Sequence, residues 1–533
     1  MKTSLTRRDL LAGTAAAGVA GMLQNDHAAA IPQNSKDSNN IYFGDFHNHS
    51  AVGYAKGSLA RAFEIANNHL DFFAFTPHGW WHDIKHYEGG IEKKWLDGFE
   101  ATQKAWPDVL AEAKKYDKPD VFVPMVGFEW HSTGFGDTHL IFPDLNGEYV
   151  RYDNLREFQR FAKSRNAILI PHHPGNLPGH RGANLKTLDL DVSPVIEIFS
   201  EWGNAEHDRG PFPYIRHSHG GRSTRNTWRR FLEEGYRLGV VASTDDHLGF
   251  PGAYREGLAA VIAPELTREA IFDALRNRRT YAVTGDRIEL DFQLNDEMMG
   301  RELTYTRDRK LQVVVNGWDE VERVEVLKNN RVIKRDFPVD RESTATSWNK
   351  PVLVRIEYGW GPWASLGAAR VCDWNLQIDV EGGRIENLQT GFQSGPYVEG
   401  KIDRVVEQTA QHVQVQSFTA RKDNIDDLAT KCVVLRIQGG PDTKLTVTQD
   451  SGESISRSRT LKELAVNNDI FFLGEYPSES VMIHRVVFEE NYTSQMIVDD
   501  DGDGSRTDWY DVRAIQSNGQ MAWSSPIWVE ENK

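Results

Sequence analysis

Histidine and carboxylate side chains recur in this sequence at spacings that suit divalent metal ions. His47 and His49 flank Asn48 directly after IYFGDF, with Asp45 two residues earlier. Alternate side chains of an extended chain share a face, so Asp45, His47 and His49 are expected to point together. His78 follows DFFAFTP, Glu129 ends VFVPMVGF, His172 and His173 follow AILIP, and Asp245 and His247 follow LGVVAST. Neutral imidazoles mixed with carboxylates suit Zn, Mn or Fe, and so many donors can hold two or three ions. The rival reading makes each histidine a strand cap bonded to a loop carbonyl. Recurrence at strand end after strand end favours metal.

Other residues could serve that chemistry. Arg216, Arg222 and Arg225 gather before the last of these strands, and Arg181 stands upstream. A guanidinium fork suits a phosphate or carboxylate, although loop ion pairs are the ordinary use of such residues. Glu197, inside the apolar VIEIFS, and Glu201 just after it are candidates for acid–base or metal-supporting work. Trp80, Trp81, His82 and His86 can form an aromatic wall or lid, or simply pack.

The elements that must position these residues alternate. Residues 58–69 predict a helix opened by Ser58, followed by a short apolar strand stopped at Pro77. A helix over roughly 95–116, kinked or divided at Pro107, leads to a strand at 121–130. A helix near 154–165 leads to AILIPHHPG, VIEIFS reads as a buried strand, and a helix near 226–235 leads to a strand at 238–247. Another helix near 266–278 precedes YAVTG. Continuously apolar strands alternating with helices predict a parallel α/β architecture, with chemistry on the loops at the strands' C-terminal ends.

After about residue 288 the pattern changes to β. Runs such as LQVVVNGW, VLVRIEYGW, WNLQIDVEGGRI and CVVLRIQGG are separated by Gly/Asn turns, and the chain closes on a hairpin turning at Ser517-Asn518-Gly519. This carboxyl half predicts a β-sandwich, with room for an inserted β module around 370–450. Its Trp318, Trp360, Trp363 and Trp374 permit glycan binding, with core packing as the commoner use. The acidic DDDGDG at 499–504 lacks the late glutamate of a calcium loop and reads as a solvated turn.

With 533 residues, 77 acidic against 61 basic side chains and a formal charge of -16, the chain has room for several domains and no basic footprint for nucleic acid. Its two cysteines, Cys372 and Cys432, leave room for one bridge at most. Thr6-Arg7-Arg8-Asp9-Leu10-Leu11, an Ala/Gly-rich run and Ala28-Ala29-Ala30 follow the order of an export leader. The paired arginines resemble a bacterial twin-arginine signal. They imply handling by the twin-arginine export machinery, cleavage after Ala30 and a periplasmic or secreted product. No later apolar run approaches the roughly 20 residues needed to span a bilayer.

Taken in order, the motifs resemble those of the PHP (polymerase and histidinol phosphatase) superfamily of metal-dependent hydrolases, in particular a large exported branch with a β-rich C-terminal region. FGDFHNHS resembles the first histidine-pair motif, TPHG the second, GFEW the glutamate motif, IPHHPG the third histidine motif and STDDHLG the final Asp-x-His motif. The resemblance spans about residues 41–285. It implies a distorted (β/α)7 TIM-like barrel over 31–288, followed by a β-sandwich-like region over 289–533. It further implies His47, His49, Glu129 and Asp245 around a first ion, Glu129 bridging to a second held by His172, and His78 with His247 at a third. Two departures bear on the third position. The loop after the first pair reads SAVGYAKG, where the family usually has a further histidine, and Pro77 stands where aspartate is common. His139, His217 or His219 could complete a shell, and His173 could act as a supporting or substrate-facing group. Catalysis is expected from Glu129, Asp245, His173 and Glu197, and substrate binding from Arg181, Arg216, Arg222 and Arg225. The expected reaction is hydrolysis of a small anionic or polymer-derived ester, with a phosphoester first. Carboxylic ester or amide hydrolysis is the enzymatic alternative, and a metal-containing polymer-binding protein the non-enzymatic one.

Overall fold

The computed structural model describes residues 39–86, 88–214, 222–359, 371–421, 429–450 and 454–533. The leader, Arg216, His217, His219, Trp360 and Trp363 lie outside the described residues.

The first half follows the expected alternation, with differences that matter at the site. Strand β1 (Asn40–Asp45) leads to helix α1 (Leu59–His69), whose Ser58 Oγ accepts from Arg61 N at 3.2 Å. This is the N-cap that the sequence marks. Strands β2 (Phe72–Phe75) and β3 (His78–Trp81) follow, then helix α2 (Ile91–Tyr116). Pro107 neither divides α2 nor ends it. Trp106, Val109 and Ala113 are buried on both sides of the missing N–H, and Trp106 Nε1 donates to the Gly147 carbonyl at 2.8 Å. Tertiary packing thus holds the turns that proline weakens. Strands β4 (Val123–His131) and β5 (Thr138–Ile141), helix α3 (Leu155–Ser164), and strands β6 (Ile168–Pro171), β7 (Val195–Ser200) and β8 (Gly203–Asn204) come next. Helix α4 (Trp228–Glu233), strands β9 (Gly239–Ala242) and β10 (Leu258–Ala263), helix α5 (Arg268–Arg276) and strand β11 (Thr280–Val283) complete this half.

The sheet is mixed and is not the all-parallel sheet that the sequence predicts. Strands β1, β2 and β4 pair in parallel, but β5 runs antiparallel to both β4 and β6, and β10 runs antiparallel to both β1 and β11. No helix separates β4 from β5 or β9 from β10. Strands β7, β8 and β9 form a separate three-stranded sheet. Hydroxyl groups meet its edge: Val240 N donates to Ser525 Oγ at 3.0 Å, and Thr280 Oγ1 donates to the Val240 carbonyl at 2.9 Å.

The β-rich half shares that framework. β11 pairs antiparallel with Met521–Ser524, which continues into Asp508–Gln516 and the strands beside it. A four-stranded sheet (289–294, 297–298, 308–316 and 493–501) faces these strands across one core that includes Phe292, Val313, Val324 and Val512. The eight-stranded sheet is drawn entirely from residues 352–483 and has its own core around Ile356, Trp374, Val433 and Leu435. Trp318 and Trp374 are buried, which removes them as a glycan platform. Asp499 to Asp501 belong to a strand and not to a turn, and Asp500 pairs with Lys328 at 2.6 Å. Cys372 and Cys432 are buried and free. Among the described residues, no helix is long and apolar enough to cross a membrane.

Candidate metal centre

The parallel strands deliver their C-terminal ends to one rim. His47 and His49 follow β1, His78 follows β2, Glu129 and His131 end β4, His172 and His173 follow β6, and Asp245 and His247 follow β9. β5 runs the other way, so its beginning reaches the same rim, and His139 stands directly opposite Glu129 in the ladder.

Donor atoms of His47, His49 and Asp245 lie within 4.8 Å of one another, and Glu129 stands beside the two histidines. His49 Nε2 is 2.9 Å from Asp245 Oδ1 and 3.6 Å from Glu129 Oε2, while His47 Nε2 is 3.4 Å and 4.0 Å from the same two oxygens. Ligands about 2.1 Å from a tetrahedral ion stand about 3.4 Å apart, so the spacing of His47, His49 and Asp245 fits one ion. Glu129 reaches further groups with its other oxygen: Oε1 is 2.8 Å from His172 Nε2 and 3.1 Å from His131 Nδ1. Groups with donor atoms close enough to share an ion include His47–His139–His172, His78–Glu129–His131, Asp137–His172–His173 and His49–His78–His247. His47 Nε2, Glu129 Oε2, His131 Nε2 and His139 Nε2 are buried without a hydrogen-bond partner. Buried polar atoms are normally satisfied, and a metal ion is what this donor set would satisfy.

The charge state agrees. Burial alone would raise Glu129 and Asp245. His131 and His172 beside the first, and His47 and His49 beside the second, hold both carboxyls well below their usual range. Burial pushes His49 down to about 3 and drives His78 and His139 well below the usual imidazole range. Anionic carboxylates and neutral imidazoles are the ligand forms of these groups. At His47 burial is overridden by Asp245 and Glu197, which raise it well above its ordinary value. A bound ion would take the place of that proton.

Several neighbours support the ring and do not enter it. Glu197 Oε2 lies 3.2 Å from His47 Nδ1 and turns the Nε2 side of the ring toward the cluster, which places the carboxylate behind a ligand. The Tyr214 hydroxyl hydrogen-bonds His173 Nδ1, and His173 Nε2 lies 3.5 Å from Asp245 Oδ2. His173 and Asp245 both have positive φ, 52° and 53°. Non-glycine residues hold that conformation when their surroundings over-determine it, as they commonly do at functional sites. His247 Nδ1 lies 3.1 Å from Glu201 Oε1. Asp45 does not join the histidines. β1 ends there and the alternation stops, so its carboxylate accepts from Thr244 N, Thr244 Oγ1, Gly252 N and His47 N. Burial pushes its pKa up to about 7 against those bonds.

A cavity of about 450 Å³ opens onto the ring and is lined by His78, Glu129, His173, Asp245, His247 and Arg181, among others. Arg181 is buried and already paired: its Nε donates to Asp137 Oδ2 at 2.5 Å. Arg222 and Arg225 are exposed and are not among the side chains lining this cavity. Trp81 lines the cavity, whereas His82 stacks on Trp130 with ring centres 5.1 Å apart, and the His86 side chain is 87% exposed. In the loop where the resemblance lacks a histidine, Tyr54 stacks on His78 at 3.5 Å. His131 and Asp137 were not singled out by the sequence. Their signal is period two, since each stands two residues from a candidate on its own strand or strand entry, Glu129 and His139.

A family described as a protein of unknown function, DUF3604, matches residues 253–310. An uncharacterized protein of Chlamydia pneumoniae is 24% identical over 257 residues, covering 44% of this chain and 41% of that protein. An uncharacterized protein of Chlamydia muridarum is 28% identical over 174 residues, covering 30% of this chain and 28% of its own length. The chain therefore spans less than half the length of these relatives. Among solved structures, a two-domain protein from Bacteroides vulgatus, described as containing a predicted PHP-like metal-dependent phosphoesterase, aligns at TM-score 0.32 with 11% identity over 82% of this chain and all of the other.

Proposed function

We propose that this protein is a metal-dependent hydrolase acting on an anionic ester, with a phosphoester as the first choice. The observation that carries the proposal is the pair of buried, unpartnered atoms Glu129 Oε2 and His47 Nε2, surrounded by further imidazoles beside an open cavity. His47, His49, Glu129 and Asp245 would hold one divalent ion, Glu129 would reach a second with His172 and neighbours, and His78 with His247 would offer a third place. Zn, Mn or Fe bound there supplies Lewis acidity that lets water act as a nucleophile near neutral pH.

The chain's own residues do the rest. Glu197 fixes the orientation of His47, and Tyr214 fixes that of His173, whose Nε2 edge faces Asp245 at the cavity wall. His173 stands where it can hand a proton to a leaving oxygen. Asp137 neutralises Arg181 and so limits its pull on a substrate. The β-rich half is read as non-catalytic support, and the leader as a twin-arginine signal giving a periplasmic or secreted product.

The test is metal analysis of the purified protein joined to a screen of phosphatase, phosphodiesterase, esterase and amidase substrates. Glu129→Gln and Asp245→Asn serve as controls. Phosphate release by the metal-loaded protein alone supports the proposal. Carboxylic ester or amide turnover without phosphoesterase activity rejects the phosphoester choice, and full activity without metal rejects the proposal altogether. Export is checked by fractionation after Arg7→Lys and Arg8→Lys, where unchanged export counts against the twin-arginine reading.

A further inference from the structure

Among the described residues, the arginines suggested by the sequence leave the cavity without a free cation, because Arg181 is spent on Asp137 and Arg222 and Arg225 do not line it. Two lysines take that place. Lys56 and Lys94 line the cavity and are exposed, so they stand at its solvent edge. Neither forms an ion pair among the described residues, although other lysines on the same helix do, as Lys93 does with Asp97. Lys56 is held by its backbone, with N donating to the His247 carbonyl at 3.0 Å, and Lys94 Nζ lies 5.8 Å from the Tyr54 ring centre. On a chain of formal charge -16, two unpaired cations at one opening form a local field that draws an anion.

The walls are aromatic. Trp81 and Trp95 lie with ring centres 5.4 Å apart, Trp202 meets the His247 ring at 5.7 Å, and Tyr54 covers His78. All four line the same cavity. Flat apolar faces of this kind favour a ring-bearing ligand over a compact polar one.

We infer that the cavity takes a phosphoric ester whose organic part carries a flat ring and a second anionic group, with Lys56 and Lys94 recognising that second charge. The inference rests on the metal-hydrolase reading for the position of the scissile group. It does not need turnover to be tested. Binding of 4-carboxyphenylphosphonate and of 4-carbamoylphenylphosphonate, which has a neutral amide in place of the carboxylate, is measured by calorimetry on the full-length metal-loaded protein at low salt. With two partly exposed ion pairs at stake, the carboxylate should bind about fivefold more tightly. The preference should fall to within about twofold in the Lys56→Gln/Lys94→Gln double variant, and it should shrink in the wild type as salt is raised. Equal binding of the two ligands by the wild type overturns the inference. So does a preference that survives in the double variant, or failure of both ligands to bind. Hydrolysis of the two corresponding phosphate esters is followed separately. If neither is cleaved while the lysine-dependent preference holds, the phosphoesterase reading fails and the recognition of the second anion stands.

Discussion

Glu129 and Asp286 are both carboxylates with almost no solvent exposure, at 2% and 0%, and their surroundings are completed in opposite ways. Asp286 lies where the two halves meet. Its Oδ1 accepts from the Tyr254 hydroxyl at 2.9 Å and Gln389 Nε2 at 2.7 Å, and its Oδ2 from Arg355 Nη2, Gln516 Nε2 and Asn518 Nδ2 at 3.1, 2.6 and 2.7 Å. Every lone pair has a protein donor. Glu129 has donors on one oxygen only, and its other oxygen faces three imidazole nitrogens at 3.6 to 4.0 Å with no hydrogen bond. A buried charge without a partner is costly, so a fold keeps one where something else completes it. The difference separates a carboxylate that joins the two halves from one that waits for a ligand.

The largest effects should come from disturbing Glu129. Glu129→Gln and Asp245→Asn keep the shape but remove the anion, so metal content should drop. Changes behind the ligands at metal sites already cost about 10- to 100-fold, so activity should fall by at least about a hundredfold. Chelation of the wild type should lower its melting temperature, since a ligand at a hundred times its dissociation constant contributes about 2.7 kcal/mol. If Glu129→Gln retains its metal, the contrast with Asp286 disappears.

Asp286→Asn probes the other side. It leaves Arg355 with Asp319 as its remaining carboxylate, at 3.1 Å. Breaking one arm of a buried pair costs about 3 kcal/mol, to be read from urea denaturation. Metal content of the folded protein should not change. A variant that loses metal but little stability would reverse the roles assigned to the two carboxylates.

A second carboxylate between the halves allows a pH test. Glu206 Oε1 accepts from Arg229 Nε, Arg229 Nη2 and Arg513 Nη1, and its Oε2 accepts from Trp523 Nε1. Burial opposes its ionisation, but Arg229 and Arg513 prevail and lower its pKa from 4.5 to about 2. A depressed folded value means the stabilisation is present above about 4.5 and is lost as pH falls toward 2. The shift corresponds to about 3 kcal/mol at most. Asp511, the other acceptor for Arg229, is raised by burial and so acts in the opposite direction. The stability gap between wild type and Glu206→Gln, measured by denaturation at several pH values, should therefore narrow in acid. A gap that stays constant from neutral pH to below 3 would assign the stabilisation to packing.

The site was more legible than the joint between the halves, for a physical reason. His47, His78, Glu129, His172 and Asp245 stand at the ends of strands that run in parallel, so local pattern was enough to suggest one rim. His131 and Asp137 escape that pattern because their place beside Glu129 and His139 depends on where β4 ends and on β5 returning antiparallel to it. Strand β10 was missed because its alanine-rich LAAVIA has weak β propensity and becomes a strand by pairing with β1 and β11. The antiparallel course of β5 and β10, which makes the sheet mixed, leaves no mark in an apolar run. Asp286 and its partner Gln516 are 230 residues apart. No spacing rule reaches that far, and Glu206 with Arg513 is as distant a pair. Lys56 and Lys94 carried no motif, and their meaning comes from a cavity assembled from both the loop after β1 and helix α2.

The smallest predicted effect lies between these two regions in character. Tyr54 is half-buried and stacks on His78 with ring centres 3.5 Å apart and planes tilted by 24°. An aromatic pair contributes about 0.5–1.5 kcal/mol beyond its buried area, which is a modest share of the stability of a chain this large. If the ring mainly fixes the orientation of His78, Tyr54→Leu should change the urea midpoint little. It should, however, lower the metal bound per protein at limiting concentrations, because the group His78 forms with His49 and His247 has no carboxylate. Tyr54→Phe keeps the ring and should restore the stoichiometry, showing that the face of the ring matters and not its hydroxyl. A drop in stability with unchanged metal content would make Tyr54 an ordinary packing residue. Loss of metal in both variants would give the hydroxyl a part in binding. The expected pattern, metal weakened by Leu and kept by Phe at nearly constant stability, would show that a stacked ring from the loop after β1 holds His78 in place for its ion.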